Sequence, residues 1–152
     1  MIKYVFKLEA VLKVRKMAEE RARQDLGRLQ MKKSLLQSDI KTQYIDIDQL
    51  YTNQDQHLKD TVRPSILLFY SKSIEAKKSV IEQLKKQEKE MDQQIKVQMD
   101  FLIQKKAELK MIENIKDKDV AQYKKKFERD QNIKIEEQVQ IWKENLNRQQ
   151  ES

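Results

Sequence analysis

The chain has no cysteine, one glycine, one proline, one histidine and no long apolar run. Each scarcity excludes something. Without cysteine there are no disulfides, no thiolate metal sites and no cysteine nucleophile, which suits a reducing compartment. The lone histidine, His57, has no second ligand and no base partner, so a transition-metal site is not expected and His57 reads as a solvated helix residue. The lone glycine, Gly27, excludes a phosphate-cradling loop, which needs several; it reads as a close helix contact or a tolerated neutral residue. With one glycine and one proline there can be few sharp reversals, so long uninterrupted helices are expected. The longest strictly apolar run is Ile66 to Leu68, extended by Phe69 and Tyr70, too short to span a membrane. The opening stretch MIKYVFKLEAVLKVRK carries charges throughout what would be a signal peptide's apolar region. It lacks the form of a cleaved signal, and the chain is expected to be cytoplasmic.

Charge is abundant: 38% of the 152 residues are Asp, Glu, Lys or Arg, with a net charge of +7. That is more than a compact core of this size leaves on its surface, and a thin elongated shape accommodates it better. Apolar residues recur at helical spacing, which argues against disorder. From residue 8 the first arm steps by threes and fours through Leu8, Val11, Arg15, Ala18, Ala22, Leu26, Leu29, Lys33, Leu36, Ile40, Tyr44, Ile47, Tyr51, Gln54 and Leu58, and 12 of these 15 stations are apolar. They form one stripe of a helix. The pattern fails over residues 60–65, where Pro64 cannot sit in a helix interior and biases Arg63 away from helical geometry; Ser65 is the better N-cap candidate for the second arm. That arm runs through Leu67, Tyr70, Ile74, Ile81, Leu84, Met91, Ile95, Leu102, Leu109, Ile112, Val120, Tyr123 and Phe127, interrupted by Lys77, Glu88, Gln98 and Lys105. A short series, Ile135, Val139, Trp142 and Leu146, continues it at 4, 3, 4 spacing.

Two amphipathic helices joined by a short turn bury their stripes by folding back on each other. The expected fold is therefore all-α, one long antiparallel coiled-coil hairpin: arm one over about 3–59, the turn over about 60–65, arm two over about 66–148. With the turn centred near residue 62, position n faces roughly position 124 − n. Residues beyond about 123 overhang the first arm, and the stretch bearing Phe127, Ile135, Val139, Trp142 and Leu146 is either frayed or a docking surface. Charge supports this register. Residues 34–60 hold two Lys and five Asp, opposite a mildly basic segment with Arg63, Lys72, Lys77 and Lys78. Each such exposed pair contributes little.

Chemistry is hard to place. Carboxylates on a thin coiled coil have no cavity to raise a pKa for acid–base work. Ser34, Ser38, Ser71, Ser73 and Ser79 lack a His–acid partner set. No catalytic role and no cofactor are expected. The basic run Lys124-Lys125-Lys126 alternates with acids (Asp117, Asp119, Glu128, Asp130) and lacks the arrangement of a zipper's basic region, so nucleic acid is not the expected partner. Tyr44, Tyr51 and Tyr70 fall on the stripes near the turn with Phe69 beside them. They read equally as interface anchors or as seam filling.

The stretch Phe6-Lys7-Leu8-Glu9-Ala10-Val11-Leu12-Lys13-Val14-Arg15 resembles the opening of the FliJ family: Phe, any residue, Leu, two more, Val-Leu, an aliphatic and Arg. Glu19 or Glu20, Ala22 and Leu26 continue it. Tyr70, Ile74 and Ile81-Glu82-Gln83 resemble the family's second-arm pattern, although Ser73, Lys77 and Lys78 stand where apolar residues would be expected. The resemblance implies a cytoplasmic, non-catalytic coiled-coil stalk of the bacterial flagellar type III export apparatus, similar to the central stalk of rotary ATPases. It implies three partners: the hexameric export ATPase (FliI-like), the cytoplasmic part of the export gate (FlhA-like), and export chaperones, with membrane association only through them. Carried onto this chain, the ring-binding residues would be Phe6, Leu8, Val11, Leu12, Arg15, Lys124, Lys125, Lys126 and Phe127. The gate-binding residues would be Tyr44, Ile47, Tyr51, Tyr70, Ile74 and Ile81. A stalk needs stiffness, which two paired helices provide, and it needs no catalytic groups because it biases the conformations of subunits that hydrolyse ATP. The stalk of a virulence secretion system, or a structural or nucleic-acid-associated coiled coil, are the alternative readings.

Overall fold

A computed structural model describes residues 3–59 and 63–151. They form two helices and no strand: α1, Glu9–Leu58, and α2, Pro64–Gln150. The fold is all-α, and the two helices pair antiparallel. The chain divides into two compact units: Ala18–Lys105, termed the hairpin unit, and Met1–Met17 with Lys106–Ser152, termed the terminal unit.

In the hairpin unit the buried and half-buried positions of α1 include Glu19, Ala22, Leu26, Leu29, Lys33, Leu36, Ile40, Gln43, Ile47, Leu50 and Gln54, a strict alternation of fours and threes, with Ala18, Asp25 and Asp46 half-buried beside it. Those of α2 include Leu67, Tyr70, Ile74, Lys77, Ile81, Leu84, Glu88, Met91, Ile95, Gln98, Leu102 and Lys105, in the same alternation, with Ser73 half-buried beside it. That is the spacing of a two-helix coiled-coil seam. Two apolar clusters hold it. Ile40, Ile47, Ile74 and Ile81 are buried together with Leu50 and Leu84 against them. Ala22, Leu26 and Leu102 are buried with Ile95. The register reads directly from cross-helix pairs: Lys33 Nζ lies 2.6 Å from Asp92 Oδ1, Gln37 Nε2 donates to Glu88 Oε1 at 3.1 Å, and Lys77 Nζ lies 3.2 Å from Asp46 Oδ2. Each pair sums to 123–125, close to the expected 124.

The apparent interruptions at Lys77, Glu88 and Gln98 are seam positions. Lys77 bridges to Asp46 and Gln43, and Glu88 accepts from Gln37. Gln98 Nε2 donates to the Ala22 carbonyl at 3.1 Å. That last contact needs a small residue at 22, because a longer side chain there would fill the path from Gln98 to the α1 backbone. Their half-exposure lets these polar heads stay near water while their stems cover the seam. On α1, Gln43 and Leu50 take the seam positions expected of Tyr44 and Tyr51, and Leu58 is exposed. The strict alternation carries Gln43 and Leu50 onto the stripe and leaves their aromatic neighbours at its edge.

Both boundaries near the turn differ from expectation. α2 begins at Pro64, not at 66, and Ser65 lies inside its first turn rather than at the N-cap. Proline suits the first helical position, where its missing N–H is not needed and its fixed φ already fits. The Arg63 carbonyl accepts from the Ile66 N–H at 3.0 Å. Residues 60–62 of the expected turn lie outside the described residues. Gly27 is exposed one step past Leu26, with open space where a Cβ would stand, so it is a tolerated residue and not a close contact.

In the terminal unit the chain is not helical at residues 3–6; a turn at 7–8 leads into α1. The Phe6 carbonyl accepts from the Glu9 N–H at 3.2 Å. Arm one thus starts about six residues later than expected, because Tyr4 and Phe6 pack sideways onto α2 instead of continuing a helix. The seam here runs Phe6, Glu9, Leu12 and Arg15 against Glu108, Leu109, Ile112, Lys116, Val120 and Tyr123. Its pairs keep the same sum: Lys116 Nζ lies 3.3 Å from Glu9 Oε2, and Arg15 pairs with Glu108. From Lys124 to Gln150 α2 continues as a helix with every residue exposed.

Candidate docking surfaces

The terminal unit contains the most developed polar cluster. The Tyr4 hydroxyl donates to Asp119 Oδ2 at 2.8 Å, and its ring meets the Tyr123 ring at 5.2 Å. Tyr123 in turn stacks against Phe127 at 6.4 Å between centroids. Loss of surrounding water, then the hydrogen bond to Asp119 and the negative charges of Asp119 and Glu9, push the Tyr4 hydroxyl up to about 12. Lys3, Lys7 and Lys126 edge the shallow groove around these rings. The Lys116 ammonium lies 5.9 Å from the centre of the Phe6 ring, held over it while it bridges to Glu9.

This geometry sorts the residues expected to bind a ring. Phe6 and Leu12 are buried in the seam at 6% and 2% exposure; they fasten residues 6–12 to α2 and offer no surface. Arg15 is half-buried and committed to Glu108. Leu8, in the turn before α1, and Val11, in its first turn, are exposed, as are Lys124, Lys125, Lys126 and Phe127. The terminal unit therefore presents Leu8, Val11, the lysine run and Phe127. Of the two glutamates that continue the opening stretch, both in the hairpin unit, Glu20 is exposed. Glu19 is buried and paired with Arg23 one turn on.

The residues expected to bind a gate sort the same way. Ile47, Ile74 and Ile81 form the apolar cluster nearest the turn and are buried. Tyr44 and Tyr51 are exposed beside the seam. The Lys85 ammonium lies 5.5 Å from the centre of the Tyr44 ring, and its contact with the Tyr44 hydroxyl holds that lysine above its ordinary pKa. Tyr70 is half-buried, with His57 at 5.5 Å and Phe69 at 5.8 Å between ring centroids. The available surface is Tyr44, Tyr51, Phe69 and the edge of Tyr70. Lys33 is likewise raised, by its hydrogen bond to Asp92.

Tyr4, Glu9, Asp119 and the seam partners Asp46 and Gln37 carry specific contacts that the stepping pattern omitted. Continuing the strict alternation of α2 past Leu102 through Lys105, Leu109 and Ile112 reaches Lys116. That of α1, carried back from Ala22, passes Glu19, Arg15, Leu12 and Leu8 and misses Glu9, and nothing in it points to Tyr4, which precedes α1. Among the described residues no group of three His, Cys, Asp or Glu is placed to hold a metal ion, and no buried side-chain nitrogen or oxygen lacks a hydrogen-bond partner. Among the described residues no helix is long and apolar enough to cross a membrane. Compared with family models, curated proteins and solved structures, the chain matches none.

Proposed function

We propose that this chain is a non-catalytic stalk or adaptor of the bacterial flagellar protein export machinery. In this reading it links a FliI-like hexameric ATPase to the cytoplasmic domain of a FlhA-like gate and assists export chaperones. Those partners hold it at the cytoplasmic face of the inner membrane. The opening motif Phe6-x-Leu8-x-x-Val11-Leu12-x-Val14-Arg15 suggests the family. The observation that carries the reading furthest is how the terminal unit uses that motif. Phe6, Leu12 and Arg15 fasten residues 6–15 to α2, while Leu8 and Val11 remain exposed on a unit that also displays Lys124, Lys125, Lys126 and Phe127. An apolar patch with a basic run suits insertion into an acidic, partly apolar ring, and such binding weakens with salt.

The test is gradient sedimentation of the purified chain with the flagellar export ATPase of the same cell, nucleotide present. The reading expects the chain to move with the ring-sized species. Reversing Lys124, Lys125 and Lys126 to Glu should abolish that movement and leave the helical circular dichroism unchanged. Arg15 is unsuitable for reversal, because losing its pair with Glu108 would loosen the terminal unit itself. Failure of the unaltered chain to sediment with the ring, with ATPase activity unchanged by its addition, would sink the reading.

A further inference from the structure

The last stretch of α2 bears an apolar stripe, Ile135, Val139, Trp142 and Leu146, at 55%, 44%, 62% and 37% exposure. Its 4, 3, 4 spacing is that of a coiled-coil seam, with Ile135 and Trp142 at d and Val139 and Leu146 at a. Among the described residues nothing covers it. The flanking charges say what could. Ile135 and Trp142 at d place Glu136 and Lys143 at e and Gln138 and Asn145 at g, while Glu137 and Glu144 fall at f, facing away from any partner helix.

Parallel pairing with a second copy fails on these residues. It would stack Trp142 on Trp142 and bring Glu128 against Glu128 at the preceding d position. It forms no e–g ion pair, since the g positions are Gln and Asn. Antiparallel pairing has several registers, and charge separates them. Ile135 opposite Val139 puts Glu136 against Glu136 and Arg129 against Lys143. Trp142 opposite Leu146 puts Lys143 against Lys143. Only Ile135 opposite Leu146, with Val139 opposite Trp142, avoids both. That register matches the large Trp142 with the smaller Val139 and places Glu136 of each copy beside Lys143 of the other, twice by symmetry. Opposite charges at flanking positions choose orientation and partner, and a two-fold axis makes such a patch self-complementary.

We infer that residues 131–150 form a self-recognition surface through which two copies of this chain pair antiparallel, with Glu136 and Lys143 selecting the register. The inference stands apart from the stalk reading, since it needs no second protein.

Sedimentation equilibrium of the full chain, alone and over a wide concentration range, tests it. The expected result is a reversible shift from the 18.4 kDa monomer to twice that mass, accompanied by a blue shift in the fluorescence of the only tryptophan. Glu136→Lys alone and Lys143→Glu alone should each weaken dimerisation at least tenfold, because each puts two like-charged pairs across the seam. The double variant should restore it, an outcome that neither misfolding nor a different face would give. All three variants should keep the wild-type helical signal. A chain that stays monomeric at every concentration, or a dimer indifferent to the single reversals or not rescued by the double, overturns the inference. Sedimentation with the ATPase is read separately and decides neither outcome here.

Discussion

At the scale of single residues, much of the specificity lies in polar groups placed where water is only partly excluded. Tyr4 is the clearest. Its hydroxyl has a folded-state pKa raised above the unfolded value, so the contribution of its neutral form to stability is fully present below about pH 10 and is lost as pH rises toward about 12. Tyrosinate absorbance should show one of the five tyrosines ionising late, and Asp119→Asn should move that step back toward the others. Gly27 makes a simpler prediction. With open space around its missing Cβ and a place inside α1, Gly27→Ala should stabilise the chain by about 0.5–1 kcal/mol, read as a higher denaturation midpoint with an unchanged slope.

At the scale of the helix, apolar and polar seam positions have separate roles. The Ile cluster near the turn supplies adhesion. Ile81 is 4% exposed among Ile40, Ile47 and Ile74, and Ile81→Ala should cost about 2–4 kcal/mol in urea denaturation. Lys77 supplies registration instead. Its pair with Asp46 is part-exposed and worth little alone, so Lys77→Leu should raise the unfolding free energy by about 1 kcal/mol, read as a higher urea midpoint, while admitting shifted pairings. The fold class, the two arms and the register were legible in the sequence because Leu and Ile at helical spacing, broken once at Pro64, permit little else. The seam was less legible where polar residues occupy it, since hydrophobicity alone marks Lys77, Glu88 and Gln98 as gaps. Tyr44 and Tyr51 drew attention as aromatics, yet the strict three–four alternation passes through Gln43 and Leu50 beside them. Of the candidate docking residues, type could be read but not side: Leu8 and Leu12 are both leucines four residues apart, and only the sideways path of residues 3–6 decides that Leu12 is covered and Leu8 is not.

At the scale of the molecule, the pairs within the hairpin unit follow one rule, that facing positions sum to about 125 (Lys33 with Asp92, Gln37 with Glu88). Removing residues 34–40 of α1 together with 85–91 of α2 takes out one facing heptad and leaves Lys33 opposite Asp92. That variant should lose only the contacts of the excised layer and still melt as one cooperative unit by circular dichroism. Removing either heptad alone should strand its partner and lower the melting midpoint about 10 °C further. Each matched excision shortens the unit by about 10 Å, at about 1.5 Å per residue. A helix pair built on such a rule is a gauge with fixed graduations. Its reach changes in whole heptads cut from both arms together, so any machine that depends on the span constrains two distant stretches of sequence at once.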